Sequence, residues 1–221
     1  MISLQNVTVN FNSQVVLDNV SLKINQGEFV FLVGQTGCGK TTLLRLIYMD
    51  LFPTRGSIAV DKYRSDSISV RDIPYLRRKI GVVFQDFKLL EDRNVFDNVA
   101  FALHVTNARR ADIKRRVLRI LADVGLSHKR NRMPYELAGG EQQRASIARA
   151  LVNEPFVLLA DEPTGNLDPA TALEILQLLQ EINTRGTAVL VGTHNYDLVR
   201  KSHERIMQIK NGKLFEVEVK R

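Results

Sequence analysis

Apolar and polar positions along the chain follow distinct rhythms. Ile2 to Val9 and Val20 to Ile24 alternate, which is the period of a strand with one buried face, and the polar Asn12-Ser13-Gln14 between them predicts a turn. Phe29–Val33, Phe156–Asp161 and Thr187–Thr193 are instead almost continuously apolar, as in strands buried on both faces. Gly56–Val60 and Ile80–Gln85 are shorter strand candidates. Helical spacing marks Lys40 to about Asp50 (with Pro53 as a stop), Asp72–Lys79, Asn94–Val105, Asp112–Val124, Gly140–Val152, Ala170–Ile182 and Tyr196–Arg200. Arg205–Ile209 and Lys213–Val219 flank Asn211-Gly212, a two-residue hairpin signal. Alternating β and α elements predict an α/β fold with a mainly parallel sheet covered on both faces. That alternation is interrupted by helices alone from about Asp86 to Asn153, an insertion within a single domain spanning residues 1–221.

Composition narrows the class. With 221 residues, 44% of them hydrophobic and 25% charged, the chain can bury a substantial core as a globular protein. Its apolar runs are strand length, far short of a membrane span. The start Met1-Ile2-Ser3-Leu4-Gln5-Asn6 lacks the basic and long apolar regions of a signal peptide, which predicts a chain that stays in the cytosol. The single cysteine, Cys38, has no partner for a disulfide, consistent with a reducing compartment. The net charge of +7 owes much to Arg109-Arg110, Lys114-Arg115-Arg116, Arg119 and Lys129-Arg130. A solvated helix face explains most of these, and anionic lipid is the next candidate. Without interleaved aromatics to stack bases, nucleic acid ranks last.

Candidate chemistry begins at Gly34-Gln35-Thr36-Gly37-Cys38-Gly39-Lys40-Thr41-Thr42, between the Phe29–Val33 strand and the helix opening at Lys40. The spacing is that of a phosphate-binding P-loop in its strand–loop–helix context. Glycines let successive N–H groups point at phosphate oxygens, and the helix N-terminus adds a positive dipole end. Lys40 would reach the terminal phosphates, and the Thr41 hydroxyl can ligate Mg²⁺. A second candidate is the apolar strand ending in Asp161-Glu162. Asp161 can hold Mg²⁺, directly or through water, and Glu162 can take the proton of an attacking water. Alone, that pair reads equally well as a strand followed by an acidic helix cap. A third is Leu137-Ala138-Gly139-Gly140-Glu141-Gln142-Gln143-Arg144, whose double glycine opening a helix makes a second anion cradle. One triphosphate does not need two cradles from one chain, but two chains head to tail could each offer this one to the other's γ-phosphate.

Together and in this order, these stretches resemble the ABC ATPase family, whose Leu-Ser-Gly-Gly-Gln/Glu signature corresponds to Leu137–Glu141. The resemblance implies an ATP- and Mg²⁺-dependent P-loop cassette with a RecA-like sheet, an N-terminal antiparallel β subdomain and an α-helical insertion. It implies that Phe11 stacks on adenine. Gln85 would be a Mg²⁺ ligand and the link to a membrane partner, and Asp168, in Gly165-Asn166-Leu167-Asp168, would lie at the dimer interface. His194 would contact the γ-phosphate. Each has a plainer alternative: Phe11 as a core or turn aromatic, Gln85 as a strand-end amide, His194 as a satisfied histidine at a strand end, Asp168 as a helix N-cap before Pro169. The catalytic set is then Lys40, Glu162 and His194, the metal set Thr41, Gln85 and Asp161. Nucleotide contacts extend over Gly34–Thr42, Gln85, Ala138, Gly139, Gly140, Glu141 and Asp168. Ala138 departs from the pattern, because it stands where the family carries a serine, so one hydroxyl donor is missing.

Three further stretches are similar to the cell-division branch of that family: Ile73–Gly81, Phe84–Leu90 and Arg93–Ala100. The resemblance implies a peripheral ATPase at the cytoplasmic face of the inner membrane, forming an ATP-dependent head-to-tail homodimer. Its membrane partner would be of FtsX type, and the pair would control peptidoglycan hydrolases by transmitted shape change. The alternatives are the energising subunit of a lipoprotein-release or small-molecule exporter, and a soluble ABC protein acting on nucleic acid or ribosomes. Phe87, Leu89 and Leu90 are expected to line part of a groove that receives a helix of the membrane partner.

Overall fold

The computed structural model describes residues 1–12 and 14–218. The main sheet has six strands: β3 (Phe29–Val33), β6 (Ile80–Val83), β7 (Val157–Asp161), β8 (Ala188–Thr193), β9 (Arg205–Lys210) and β10 (Lys213–Val217). Their order is β10-β9-β3-β8-β7-β6, parallel throughout except for the antiparallel β9–β10 pair. A smaller antiparallel sheet has the order β2-β1-β4-β5, from β1 (Ile2–Phe11), β2 (Gln14–Ile24), β4 (Arg55–Val60) and β5 (Tyr63–Arg64). Helices α1 (Lys40–Ile47), α2 (Ile73–Arg77), α6 (Pro169–Thr184) and α7 (Tyr196–Arg200) belong to the alternating part. Between β6 and β7 lie α3 (Val95–Val105), α4 (Arg110–Asp123) and α5 (Gly139–Leu151), with short 3₁₀ turns and no strand among the described residues.

Every residue of β3 and β8 is buried, because both faces of the sheet are covered. The two-residue period of a strand divides β3 between two apolar clusters. Phe29, Phe31 and Val33 pack with the inserted helices and α6, while Val30 and Leu32 pack with α1 and the antiparallel sheet. The central strand therefore joins both halves of the core.

The antiparallel sheet exceeds the strands read from periodicity. β2 begins at Gln14 rather than Val20, because bulges break the alternation between Leu4 and Val7, Val7 and Val9, and Val9 and Asn10. Asn6 and Asn19 adopt left-handed backbone, and their side chains meet at 2.9 Å across the pair. Asparagine tolerates that conformation, so an extra residue can be absorbed without loss of pairing. β5 is two residues long and leaves no periodic signal. The closing hairpin turns at Asn211 and Gly212, both with positive φ, and Val219 lies outside the described residues.

On α4, Ile113, Val117 and Leu121 are buried, whereas Lys114, Arg115 and Arg119 are exposed, so most of the basic run is a solvated face. The segment entering the insertion is closed by one buried side chain. The Asn98 amide accepts from Leu90 N at 2.7 Å and donates to the carbonyls of Leu90, Arg93 and Asn94 at 2.8–3.0 Å. The Leu90 and Asn94 carbonyls keep backbone donors, but truncation would strip the Leu90 N–H and the Arg93 carbonyl of this partner, so Asn98→Ala should lower stability by about 1–3 kcal/mol in urea unfolding with an unchanged m value.

Candidate functional site

Strand β3 delivers the chain to Gly34, and the loop through Gly39 turns back into α1. Gly37 and Gly39 sit at φ 80° and 110°, where a side chain would be strained. No side chain caps α1, and its first turn has no acidic residue, so its free N–H groups remain open to an anion. Lys40, at the first position of α1, is 6% exposed. Its Nζ donates to the carbonyls of Gly34 (2.8 Å) and Gln35 (3.2 Å) and lies 3.3 Å from Glu162 Oε1.

Strand β7 ends at Asp161, one strand removed from β3. Thr41 Oγ1 donates to Asp161 Oδ2 at 2.7 Å, while Asp161 Oδ1 is buried without a partner. Burial pushes the Asp161 carboxyl above the ordinary range. The nearby Glu162 charge adds to the shift, and the Thr41 hydrogen bond and Lys40 oppose it. Glu162 follows with φ 47°, left-handed for a non-glycine residue, and its N–H donates to Gly192 O at 2.8 Å. Its carboxylate is held by the His194 side chain (Nδ1, 2.9 Å) and by the His194 backbone N–H (3.2 Å), as well as by Lys40. Two nearly buried charges thus neutralise each other at the carboxyl end of the sheet.

These groups surround a cavity of about 220 Å³ lined by Thr36, Gly37, Gly39, Lys40, Thr41, Thr42, Gln85, Asp161, Glu162 and His194. Gln85 follows β6, and its carbonyl accepts from Asn166 Nδ2 at 3.3 Å. A second cavity of about 580 Å³ shares Thr36 and Gly37 and adds Gln14, Val16, Gln35, Cys38, Tyr196 and Gln208. Phe11 is exposed and pairs with Gln14 across the β1–β2 turn, which places it at the margin of this cavity rather than among its lining residues.

The remaining candidates lie elsewhere in the chain. Ala138 is the N-cap of α5, Gly139 and Gly140 are its first residues, and Glu141 Oε2 accepts from Ala138 N at 3.0 Å. Asp168 caps α6, and its hydrogen bonds from the hydroxyl and N–H of Thr171 hold its carboxyl below the ordinary range. The two helix starts adjoin, since a Cβ on Gly140 would collide with Thr171 Cγ2. None of these five residues lines either cavity beside the P-loop. The Phe87–Leu90 segment is engaged within the chain: Phe87 is half-buried near Gly139, and Leu89 packs on the larger core cluster. The expected groove is therefore at least partly filled by the protein's own packing.

Residues 17–165 match the family model described as ABC transporter. The chain belongs to the ABC transporter family. It is 49% identical over 220 residues to the cell division ATP-binding protein FtsE of Mycobacterium tuberculosis, covering 99% of this chain and 96% of that one. It is 46% identical over 198 residues to FtsE of Escherichia coli K12, covering 90% and 89%. Among solved structures, the ATP-binding cassette MJ0796, described as a dimer in a post-hydrolysis state bound to ADP and Pi, superposes with a TM-score of 0.86 at 36% identity, covering 100% of both chains.

As an ABC family member the chain is an ATP-hydrolysing P-loop enzyme with the ABC cassette fold. Reading the sequence missed Tyr196 and Gln208, which face each other at 3.4 Å beside the larger cavity. Nothing in their local sequence marks them, because only the β9–α7 packing brings them to the loop. The raised Asp161 pKa has a measurable consequence. The folded state holds the proton more tightly than the unfolded chain, so ionisation costs stability as pH rises above about 4. Asp161→Asn should therefore melt higher than the parent, without nucleotide, at pH 7–8. In thermal denaturation across pH, that gain should shrink toward zero near pH 4.

Proposed function

We propose that the chain is the ATP-hydrolysing subunit of a membrane-bound cell-division complex, working as a head-to-tail dimer beside a membrane partner of FtsX type. The observation that carries the hydrolytic reading is the Glu162 carboxylate, suspended between Lys40 and His194 at the mouth of an uncapped P-loop helix. A triphosphate entering the smaller cavity meets the N–H groups of the loop and draws Lys40 to its β- and γ-oxygens. Glu162 then keeps His194 as its partner and can accept a proton from water as that water attacks the γ-phosphorus. The bond between γ-phosphorus and the bridging oxygen breaks, and ADP leaves with that oxygen. The larger cavity takes the nucleoside, with Phe11 at its margin.

Mg²⁺ suits the donors present. Asp161 Oδ1 is buried and unpartnered, the Thr41 hydroxyl bonds the other Asp161 oxygen, and Gln85 lines the same cavity. Among the described residues no three His, Cys, Asp or Glu side chains form a metal site, so the protein offers a few oxygens and leaves other positions to phosphate and water. The ion would offset charge on the β- and γ-phosphates.

The absence of the α5 glycines from the lining of both P-loop cavities supports a second copy as their user. Gly139 and Gly140 would present N–H groups to the γ-phosphate of the partner, and Asp168 and its loop would cross the interface. Ala138 withholds a hydroxyl there. One hydrogen bond to a charged group is worth about 1.5–3 kcal/mol, so the ATP-bound dimer should be weaker than a serine-bearing one.

The cell-division role is supported by relatives that carry that name along nearly their whole length. None of the described helices is long and apolar enough to cross a membrane, so anchoring at the cytoplasmic face falls to the partner, helped by the exposed basic face of α4. Shape change passed through that partner would then control peptidoglycan hydrolases.

Lys40→Ala should abolish ATP binding. Glu162→Gln should bind ATP normally and slow turnover by about 10²–10⁴-fold, accumulating dimer; a parent-like rate would assign the base to another group. In that background, Ala138→Ser should tighten the dimer by about tenfold or more in sedimentation. Affinity capture of the chain from detergent-solubilised membranes should recover an FtsX-type protein. Capture of an exporter's membrane subunit instead would favour the transport reading.

A further inference from the structure

Between Gln85 and the inserted helices, Phe87 and Lys88 adopt φ 56° and 49° in succession. Neither is glycine or asparagine, so this turn persists only because its surroundings hold it. Arg149, near the C-terminal end of α5, supplies that hold. Its Nη1 donates to the Lys88 carbonyl, and its Nη2 donates to the Phe87 carbonyl at 3.0 Å. Among the described residues no carboxylate pairs with Arg149, so a largely desolvated guanidinium is committed to these two carbonyls. The other end of α5 touches the same turn, because a Cβ on Gly139 would stand 4.0 Å from the Phe87 ring. Gln85 itself is tied to the loop before α6 by Asn166.

We propose that Arg149 is a positioning residue for ATP hydrolysis, fastening the Phe87–Lys88 turn to α5 so that Gln85 and the glycine start of α5 shift as one piece. The proposal rests on the hydrolytic reading above, in which Gln85 faces one phosphate site and the α5 glycines serve another. Arginine suits the task because two carbonyls on consecutive residues need a planar, two-pronged donor. A lysine ammonium is a point donor without that fork. Arg149 lines neither cavity beside the P-loop, so it would act only through the turn that it holds.

The test compares the full-length parent with Arg149→Lys, Arg149→Met, Gln85→Ala and the Gln85→Ala/Arg149→Met double variant. ATP affinity, kcat and hydrogen exchange over residues 84–90 are measured for each. Both Arg149 variants should keep ATP affinity within about twofold and lose about tenfold in kcat, the pattern of an interaction that matters after binding. Exchange should quicken over residues 84–90 and remain parent-like in β3, β7 and β8. The double variant should turn over no more slowly than Gln85→Ala alone, because nothing is left for the clamp to position. Multiplying effects in the double variant, a parent-like kcat for Arg149→Met, or unfolding of both Arg149 variants would overturn the proposal. A parent chain without ATP turnover would sink the hydrolytic reading instead, and the exchange data would still decide whether Arg149 holds the turn.

Discussion

A buried cation and a buried anion persist in a protein only when each compensates the other, and Lys40 and Glu162 meet that condition across three strands. Lys40 follows β3, His194 follows β8, and Glu162 follows β7, and in the sheet these strands are consecutive neighbours. Being parallel, they end on the same edge, so residues far apart in sequence arrive together. That arrangement needs crossover helices, which cover both faces and account for the apolar character of β3 and β8. The charge cluster and the buried sheet are therefore consequences of one topology.

Left-handed backbone outside glycine and asparagine occurs at Met49, Asp61 and Glu154 and, beside the site, at Phe87, Lys88 and Glu162. Glu162, Phe87 and Lys88 are left-handed without being glycine, and each is held by specific hydrogen bonds from outside its own turn. Other positive-φ residues include Asn6, Asn12, Asn19, Asn107 and Asn211, a side chain that tolerates the conformation. Strain held at Glu162 aims its carboxylate at Lys40 and His194, and strain at Phe87 and Lys88 turns their carbonyls toward α5.

Helices α5 and α6 begin side by side, with Gly140 close against Thr171 and Leu167 near Gly139. The acidic side chains at these starts are occupied as caps, Glu141 on Ala138 and Asp168 on Thr171. Main-chain groups of Gly139 and Gly140 are thus what this surface offers to an anion. This surface lines neither cavity beside the P-loop, which is the ground for the proposal that a second copy uses it.

The P-loop, the acidic end of β7 and the glycine start of α5 were legible in the sequence because each is a run of neighbouring residues whose chemistry depends on local geometry. The long apolar strands and most helices were legible for the same reason, since periodicity is a local property. Residues 14–19 were not, because bulges at asparagines break the alternation that marks a strand. Tertiary structure alone decided which carboxylate meets Lys40, because that depends on the order of β3, β8 and β7. It also decided that Tyr196 and Gln208 face the loop and that Phe87 and Leu89 are taken up by internal packing. Arg149 reads in sequence as one more basic helix residue, and only the folded turn after Gln85 gives its fork two carbonyls to hold.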